Sequence, residues 1–162
     1  MVIDTEFILL VISTLSIILL MGNIMRKRPV SQLQNAFATV LLTVLVISVG
    51  VISQLVCSNF LNIEPIYFEN FIYIGTCMLP VALFFVAIIF RNTKIRFKRK
   101  YLLLFVIPFL TLAVLYTNQY HHLFYKVYSS NLNEMVYGPY FYIHSIYNYG
   151  LLLISIGIMI NA

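Results

Sequence analysis

An all-α, polytopic transmembrane helical bundle is the fold class this sequence predicts, and three observations predict it. The chain of 162 residues is 62% apolar and 9% charged, with a mean hydropathy of +0.96; a soluble domain carries about 25% charged residues. Its apolar residues fall in five long runs, and backbone groups in hydrocarbon must be bonded within their own segment, which selects helices. Nine of its ten Lys and Arg residues occupy two short clusters between those runs. Too few polar groups exist to coat this chain in water, so lipid is its main solvent.

A hydrocarbon core of about 30 Å needs roughly 20 helical residues. The first run, 7–25, has acids before it (Asp4, Glu6) and bases after it, the reverse of a signal peptide, and is long enough to span. The second span is 36–56 and the third 71–90. The fourth, 101–116, is short; Lys100 can snorkel and Asn118 or Tyr120 can extend it. The fifth is 140–160. These five spans make one transmembrane domain, 1–162, with outer connections at 57–70 and 117–139. The chain stops at Asn161-Ala162 with no basic anchor after the fifth span, which suggests a fragment of a longer polypeptide.

Orientation follows from charge. The clusters are Arg26-Lys27-Arg28 and the run Arg91, Lys94, Arg96, Lys98, Arg99 and Lys100. Positive loops stay in the cytoplasm, so the predicted protein is a multi-pass plasma-membrane protein with an extracellular N-terminus. Asp4, Glu6, Glu64, Glu69 and Glu134 then all fall outside, and none lies within a predicted span. The net charge of +5 belongs to headgroup anchors, each gaining about 1 kcal/mol, and implies no nucleic acid. Cys57 ends the second span while Cys77 lies roughly 10 Å deeper in the third, an awkward offset for a disulfide. Two inert thiols are expected.

Tyrosine repeats the asymmetry. Tyr67, Tyr73, Tyr116, Tyr120, Tyr125, Tyr128, Tyr137, Tyr140 and Tyr142 lie toward the outer side, and Tyr101 stands alone at the inner rim. With no Trp, tyrosine supplies the interfacial belt, but a belt alone would use both rims. The surplus points to a folded outer lid or aromatic-walled pocket, or to loops lying in the headgroup layer.

Three groups of residues are candidates for a site. His121-His122, with Asn118 and Tyr125 nearby, are adjacent on the chain, and adjacent helical residues point about 100° apart, a poor geometry for one metal. His144 and Glu134 could complete such a site, but the spacing does not demand it, so neither metal nor cofactor is expected. In the fifth span, Tyr140, His144, Tyr147, Asn148 and Leu151 share a helical stripe. It is read as a pocket wall or as interhelical hydrogen bonding. Pro80 and Pro108 each remove a hydrogen bond four residues back and mark kinks or hinges, with Gly75 in the same helix as Pro80. No Ser–His–Asp grouping, HExxH, phosphate-binding glycine loop or intramembrane acid pair occurs, so this segment is not expected to be an enzyme.

Certain short stretches carry a likeness: Gln34-Asn35-Ala36-Phe37, Leu79-Pro80, Thr117-Asn118 with His121-His122-Leu123-Phe124, and Tyr137-Gly138-Pro139-Tyr140-Phe141 leading to His144 and Tyr147-Asn148-Tyr149. In these the chain resembles the seven-helix N-terminal sensory region of bacterial histidine kinases, a region also fused to PAS or diguanylate cyclase outputs. The resemblance covers nearly the whole chain. It implies helices one to five of seven, an extracellular N-terminus, and a cytoplasmic output domain in cis that these residues do not include. The tryptophan common in the family's second helix is absent here.

The reading is a sensory input module of a signal-transduction protein. A small extracellular or membrane-borne ligand, of unspecified identity, would bind His121, His122, Tyr137, His144, Tyr147 and Asn148, and shift the packing of kinked helices toward the output. A homodimer is a further expected partnership, although no GxxxG seam occurs. The rivals are a small-solute permease or transporter subunit, which the two broken helices would suit and the lack of a two-fold repeat would not, and a purely structural membrane subunit.

Overall fold

The computed structural model describes residues 5–26, 29–61, 66–96, 98–129 and 134–162, with the side chains of Glu6, Ser58, Asn59, Phe60 and Leu61 left aside. Asp4, Lys27, Arg28 and Glu64, which enter the topology reading, lie outside the described residues. The helices are α1 (Thr5–Arg26), α2 (Gln32–Leu61), α3 (Ile66–Asn92), α4 (Val106–Tyr116), the single turn α5 (Asn118–His121) and α6 (Pro139–Ile160). A 3-10 helix, Arg99–Phe105, leads into α4, and two short strands, β1 (Tyr125–Val127) and β2 (Val136–Tyr137), pair antiparallel between α5 and α6. Five helical segments are long and apolar enough to cross a membrane: Phe7–Arg26, Gln32–Cys57, Ile66–Asn92, Arg99–Tyr116 and Pro139–Ile160. The all-α polytopic fold is therefore present, with each expected span inside an observed one.

Three differences from the sequence reading have physical causes. The helices α2 and α3 run past the apolar core, so only 62–65 separate them and the first outer connection is far shorter than 57–70. Glu69 consequently lies in the first turn of α3, inside a spanning helix, where the positive end of the helix favours an acid. The fourth span gains its length without help from Asn118 or Tyr120. A 3-10 helix rises about 2.0 Å per residue against about 1.5 Å for an α-helix, so seven 3-10 and eleven α residues reach roughly 30 Å.

A reciprocal cap opens α2: the Ser31 amide donates to Gln34 Oε1 (2.7 Å) and the Gln34 amide to Ser31 Oγ (3.1 Å). Gln32 reaches across to the segment after α3. Its Nε2 donates to the Ile95 carbonyl (3.2 Å) and its Oε1 accepts from the Ile95 amide (2.9 Å). The two basic loops thus share one end of the bundle.

The helix α3 is central. It packs on α2, α4 and α6, while α1 rests on α2. Its contact with α2 depends on missing side chains. A Cβ on Gly75 would lie 2.6 Å from Ile47 Cγ1 and 2.7 Å from the Thr43 carbonyl oxygen, and one on Gly50 2.6 Å from Ile72 Cγ1. Small residues let membrane helices approach to backbone contact, where dispersion and not hydrophobic exclusion holds them. Val40, Ala82 and Val86 form the core toward the basic end; Leu115, Phe124 and Tyr125 form it toward the other.

Gly75→Ala is expected to lower thermal stability in detergent by roughly 1–3 kcal/mol, because a backbone carbonyl must move. Gly22→Ala, with nothing within 4 Å of the added carbon, is expected to be neutral. Equal unfolding temperatures for the two variants would contradict this packing.

Candidate functional site

The non-basic end carries a folded lid, so of the two sequence-based alternatives for the aromatic surplus the structure adopts the first. Its organiser is Asn118, buried at the start of α5. The Asn118 Oδ1 accepts from the amides of Phe124 (2.9 Å) and Tyr125 (3.1 Å), and its Nδ2 donates to the Tyr125 carbonyl (2.9 Å). One side chain so satisfies three backbone groups of a reversing loop. Gly138 closes the lid: its amide donates to the Phe124 carbonyl (2.7 Å), and a Cβ there would fall 2.0 Å from the Leu123 carbonyl oxygen. No side chain fits.

This loop drives Phe124 down into the bundle, where it is fully buried. Its ring meets Tyr73 of α3 edge-on at 5.1 Å, Phe141 of α6 edge-on at 5.6 Å and the His144 imidazole at 5.7 Å. Edge-to-face pairs of this kind add about 0.5–1.5 kcal/mol each beyond burial. Beside it the Tyr125 hydroxyl lies 3.2 Å from Tyr73 Oη and 3.4 Å from Glu69 Oε1, giving the Glu69 carboxylate a partner. Burial, the neighbouring phenols and Glu69 push the Tyr125 phenol upward, and burial with Glu69 pushes Tyr128 up to about 12. Both remain protonated donors.

Below Phe124, between α3 and α6, lies a cavity of about 220 Å³ lined by Tyr73, Thr76 and Pro80 on one side and Phe141, His144 and Asn148 on the other, with Leu79, Ser145, Tyr149 and Leu152 completing it. His144 and Asn148 lie roughly 8 and 14 Å along α6 from Pro139, so the cavity reaches from the rim toward mid-membrane. Asn148 Nδ2 and His144 Nε2 are 2.9 Å apart. With the amide nitrogen donating, the imidazole is neutral and carries its proton on Nδ1. His144 Nδ1 and Asn148 Oδ1 are both buried and have no partner. Each unmatched buried group costs about 1–3 kcal/mol. Pro80 adds another acceptor, since it has no N–H to give the Thr76 carbonyl four residues back. The proline expected to mark a kink lies in the cavity wall itself.

The remaining candidates go elsewhere. The α6 stripe divides: His144 and Asn148 turn toward α3, whereas the Tyr140 hydroxyl lies 3.3 Å from Thr111 Oγ1 of α4, and the Tyr147 hydroxyl donates to the Leu104 carbonyl. Leu104 is four residues before Pro108, so Tyr147 supplies the donor that this proline lacks. Tyr147 is thus a tie between α6 and the fourth span and does not line the cavity. Tyr137 pairs with Tyr125 in the hairpin and stacks on Phe141 at 3.9 Å, belonging to the lid wall.

His121 and His122, expected as ligand contacts, also lie away from the cavity and serve the turn. The His121 Nδ1 accepts from the Leu123 amide (3.1 Å), and its Nε2 lies 3.0 Å from Thr117 Oγ1. That hydroxyl already donates to the Ala113 carbonyl, so the ring is the Nε2–H form with both nitrogens engaged. His122 has φ 51° and closes α5 through its amide to the Asn118 carbonyl (2.8 Å). Histidine tolerates this left-handed geometry better than most residues. Sequence reasoning missed Phe124 and Asn118 as the organisers, although the Asn-x5-Phe spacing was visible. Among the described residues no group of three His, Cys, Asp or Glu is placed to hold a metal, and Cys57 and Cys77 are both free thiols.

Two expectations test the lid. Asn118→Ala leaves two amides and a carbonyl without partners and should cost roughly 3 kcal/mol, read as accelerated amide exchange at Phe124 and Tyr125. His122→Gly should leave stability unchanged or raise it, while His122→Val should lower it by about 1–2 kcal/mol. A requirement for the imidazole itself would make the glycine variant the worse of the two.

No curated protein and no solved structure matches this chain. A family match covers residues 8–162, under the description N-terminal 7TM region of histidine kinase. It spans the described helices, the lid and the cavity together, and it makes the segment a non-catalytic, membrane-embedded input module. The chain belongs to the N-terminal 7TM region of histidine kinase family.

Proposed function

We propose that this module senses a small uncharged molecule in the cavity beneath Phe124 and passes its occupancy to a cytoplasmic output domain in cis. The observation that carries the reading is the pair of unmatched polar atoms, His144 Nδ1 and Asn148 Oδ1, on a cavity with no charged lining residue. Polar groups inside a span are costly and mark function more often than stability. A ligand offering one donor and one acceptor on an apolar body satisfies both atoms and fills the apolar remainder. A charged ligand would meet no counter-charge there.

In this reading the basic end faces the cytoplasm and the N-terminus and lid face outward, as positive loops direct. His144 touches both cavity and Phe124 ring, so filling the cavity biases the lid as well as the α3–α6 spacing. Tyr147 carries any displacement of α6 to Leu104, in the turn before Pro108. The result is a shift between packings whose size equals the ligand's preference for one of them.

The double variant His144→Phe with Asn148→Leu removes all four polar ring and amide atoms, the larger side chains extending into the cavity that both positions line. Because half of those atoms lack partners, unliganded stability should be unchanged or rise by up to about 2 kcal/mol. Output autophosphorylation in the native polypeptide should lose its response to stimulus. A loss of several kcal/mol with the response intact would show instead that the pair is interhelical glue.

A further inference from the structure

A second cavity, a groove of about 330 Å³, lies at the basic end between α2 and α3. Its lining changes character with depth. Gln32 and Asn35 stand at the mouth in the first turn of α2, and Thr39 follows one turn deeper. Ala36, Ala82, Phe85 and Ile89 make an apolar floor. The mouth is built by a tertiary clamp: Gln32 spends its amide on both backbone groups of Ile95. Thr93, at φ 60°, turns the chain back after α3 so that this pairing forms. Ile95 then lines the groove, with Lys94 and Arg96 exposed on either side of it in sequence.

The charge around this mouth is of one sign. Arg91, Lys94, Arg96, Lys98, Arg99 and Lys100 are all exposed. The two acids with described side chains, Glu69 and Glu134, are engaged in the lid with Tyr125 and Ser129. The complement of an apolar floor, an amide-bearing mouth and a basic rim is an amphiphile with an anionic head.

We propose that this groove binds an acidic phospholipid, with an acyl chain along Ala36, Ala82, Phe85 and Ile89 and its phosphate level with Asn35, within reach of Lys94 and Arg96. A soluble phosphate would match the rim and leave the apolar floor empty. A zwitterionic lipid would fill the floor but bring its own ammonium to a basic rim. Basic pockets between membrane helices at such an interface suit anionic headgroups for these reasons. The site is independent of any ligand in the cavity beneath Phe124.

The test uses the whole chain in detergent micelles, with retention of phosphatidylglycerol and of phosphatidylcholine read by native mass spectrometry. Lys94→Gln with Arg96→Gln should reduce the preference for phosphatidylglycerol about tenfold, as expected for two screened headgroup contacts. Asn35→Phe, which keeps every charge and blocks the mouth, should do the same. Arg99→Gln with Lys100→Gln removes equal charge from residues that neither line the groove nor adjoin in sequence one that does, and should keep the preference. All five positions are exposed, so the lipid-free unfolding temperature should stay constant. Equal losses in the two charge pairs, or an unaffected Asn35→Phe, would overturn the groove in favour of diffuse surface attraction. Displacement by inorganic phosphate would overturn the lipid as its occupant.

Discussion

Hydrocarbon offers no hydrogen bonds, and most of this structure follows from that one constraint. Ser13, Thr14, Ser16, Thr43, Thr76 and Ser155 turn their hydroxyls back onto carbonyls three or four residues earlier in their own helices. Where Pro108 cannot bond to Leu104, Tyr147 does so from another helix. Asn118 serves three backbone groups that a reversing loop would otherwise strand beside the membrane. Against this background the buried side-chain atoms without partners among the described residues are informative: Asn70 Oδ1, His144 Nδ1 and Asn148 Oδ1. Two of these three border one cavity. A membrane protein can carry such a debt where a ligand or water settles it.

In the proposed function, the lid gives the cavity a means of being read. A loop of small local interactions becomes rigid through Asn118 and Gly138, and that rigidity lets it push a single ring, Phe124, between α3 and α6. The same ring touches His144. Under the proposed reading, whatever alters the cavity acts on the lid and on helix spacing together, with no need for a separate chain of contacts. Because α3 also packs on α2 and α4, a change at its cavity face is shared by most of the bundle.

The two ends are built on different chemistry. At the lid, packed phenols surround one carboxylate, and the groups stay hydrogen-bonded and largely desolvated. At the other end, exposed cations crowd a groove whose mouth is tied by the Gln32–Ile95 pair. Under the two proposals, one end reports on neutral chemistry and the other meets a charged interface. This polarity suits an input module that reads one side of a membrane and acts on the other.

Much of the fold was legible because it rests on periodicity and totals. Apolar run lengths set the five spans, and clustered bases set which loops share an end. The Pro108–Leu104 vacancy was also implicit, since a proline always leaves the carbonyl four residues back without its donor. Other features depend on the partner helix. One stripe on α6 held His144, Asn148, Tyr140 and Tyr147, but α6 sits in the angle between α3 and α4, and that angle divided the stripe into cavity wall and tie. His121 and His122 looked alike in sequence; a hydrogen-bonded turn and a left-handed residue gave each its own local task. Glu69 moved into a spanning helix because α3 continues beyond the hydrocarbon, which hydropathy alone does not register. Sequence determined which segments enter lipid, since transfer free energy adds along the chain. Tertiary structure decided which polar atoms were left over, because partners come from segments far apart in sequence.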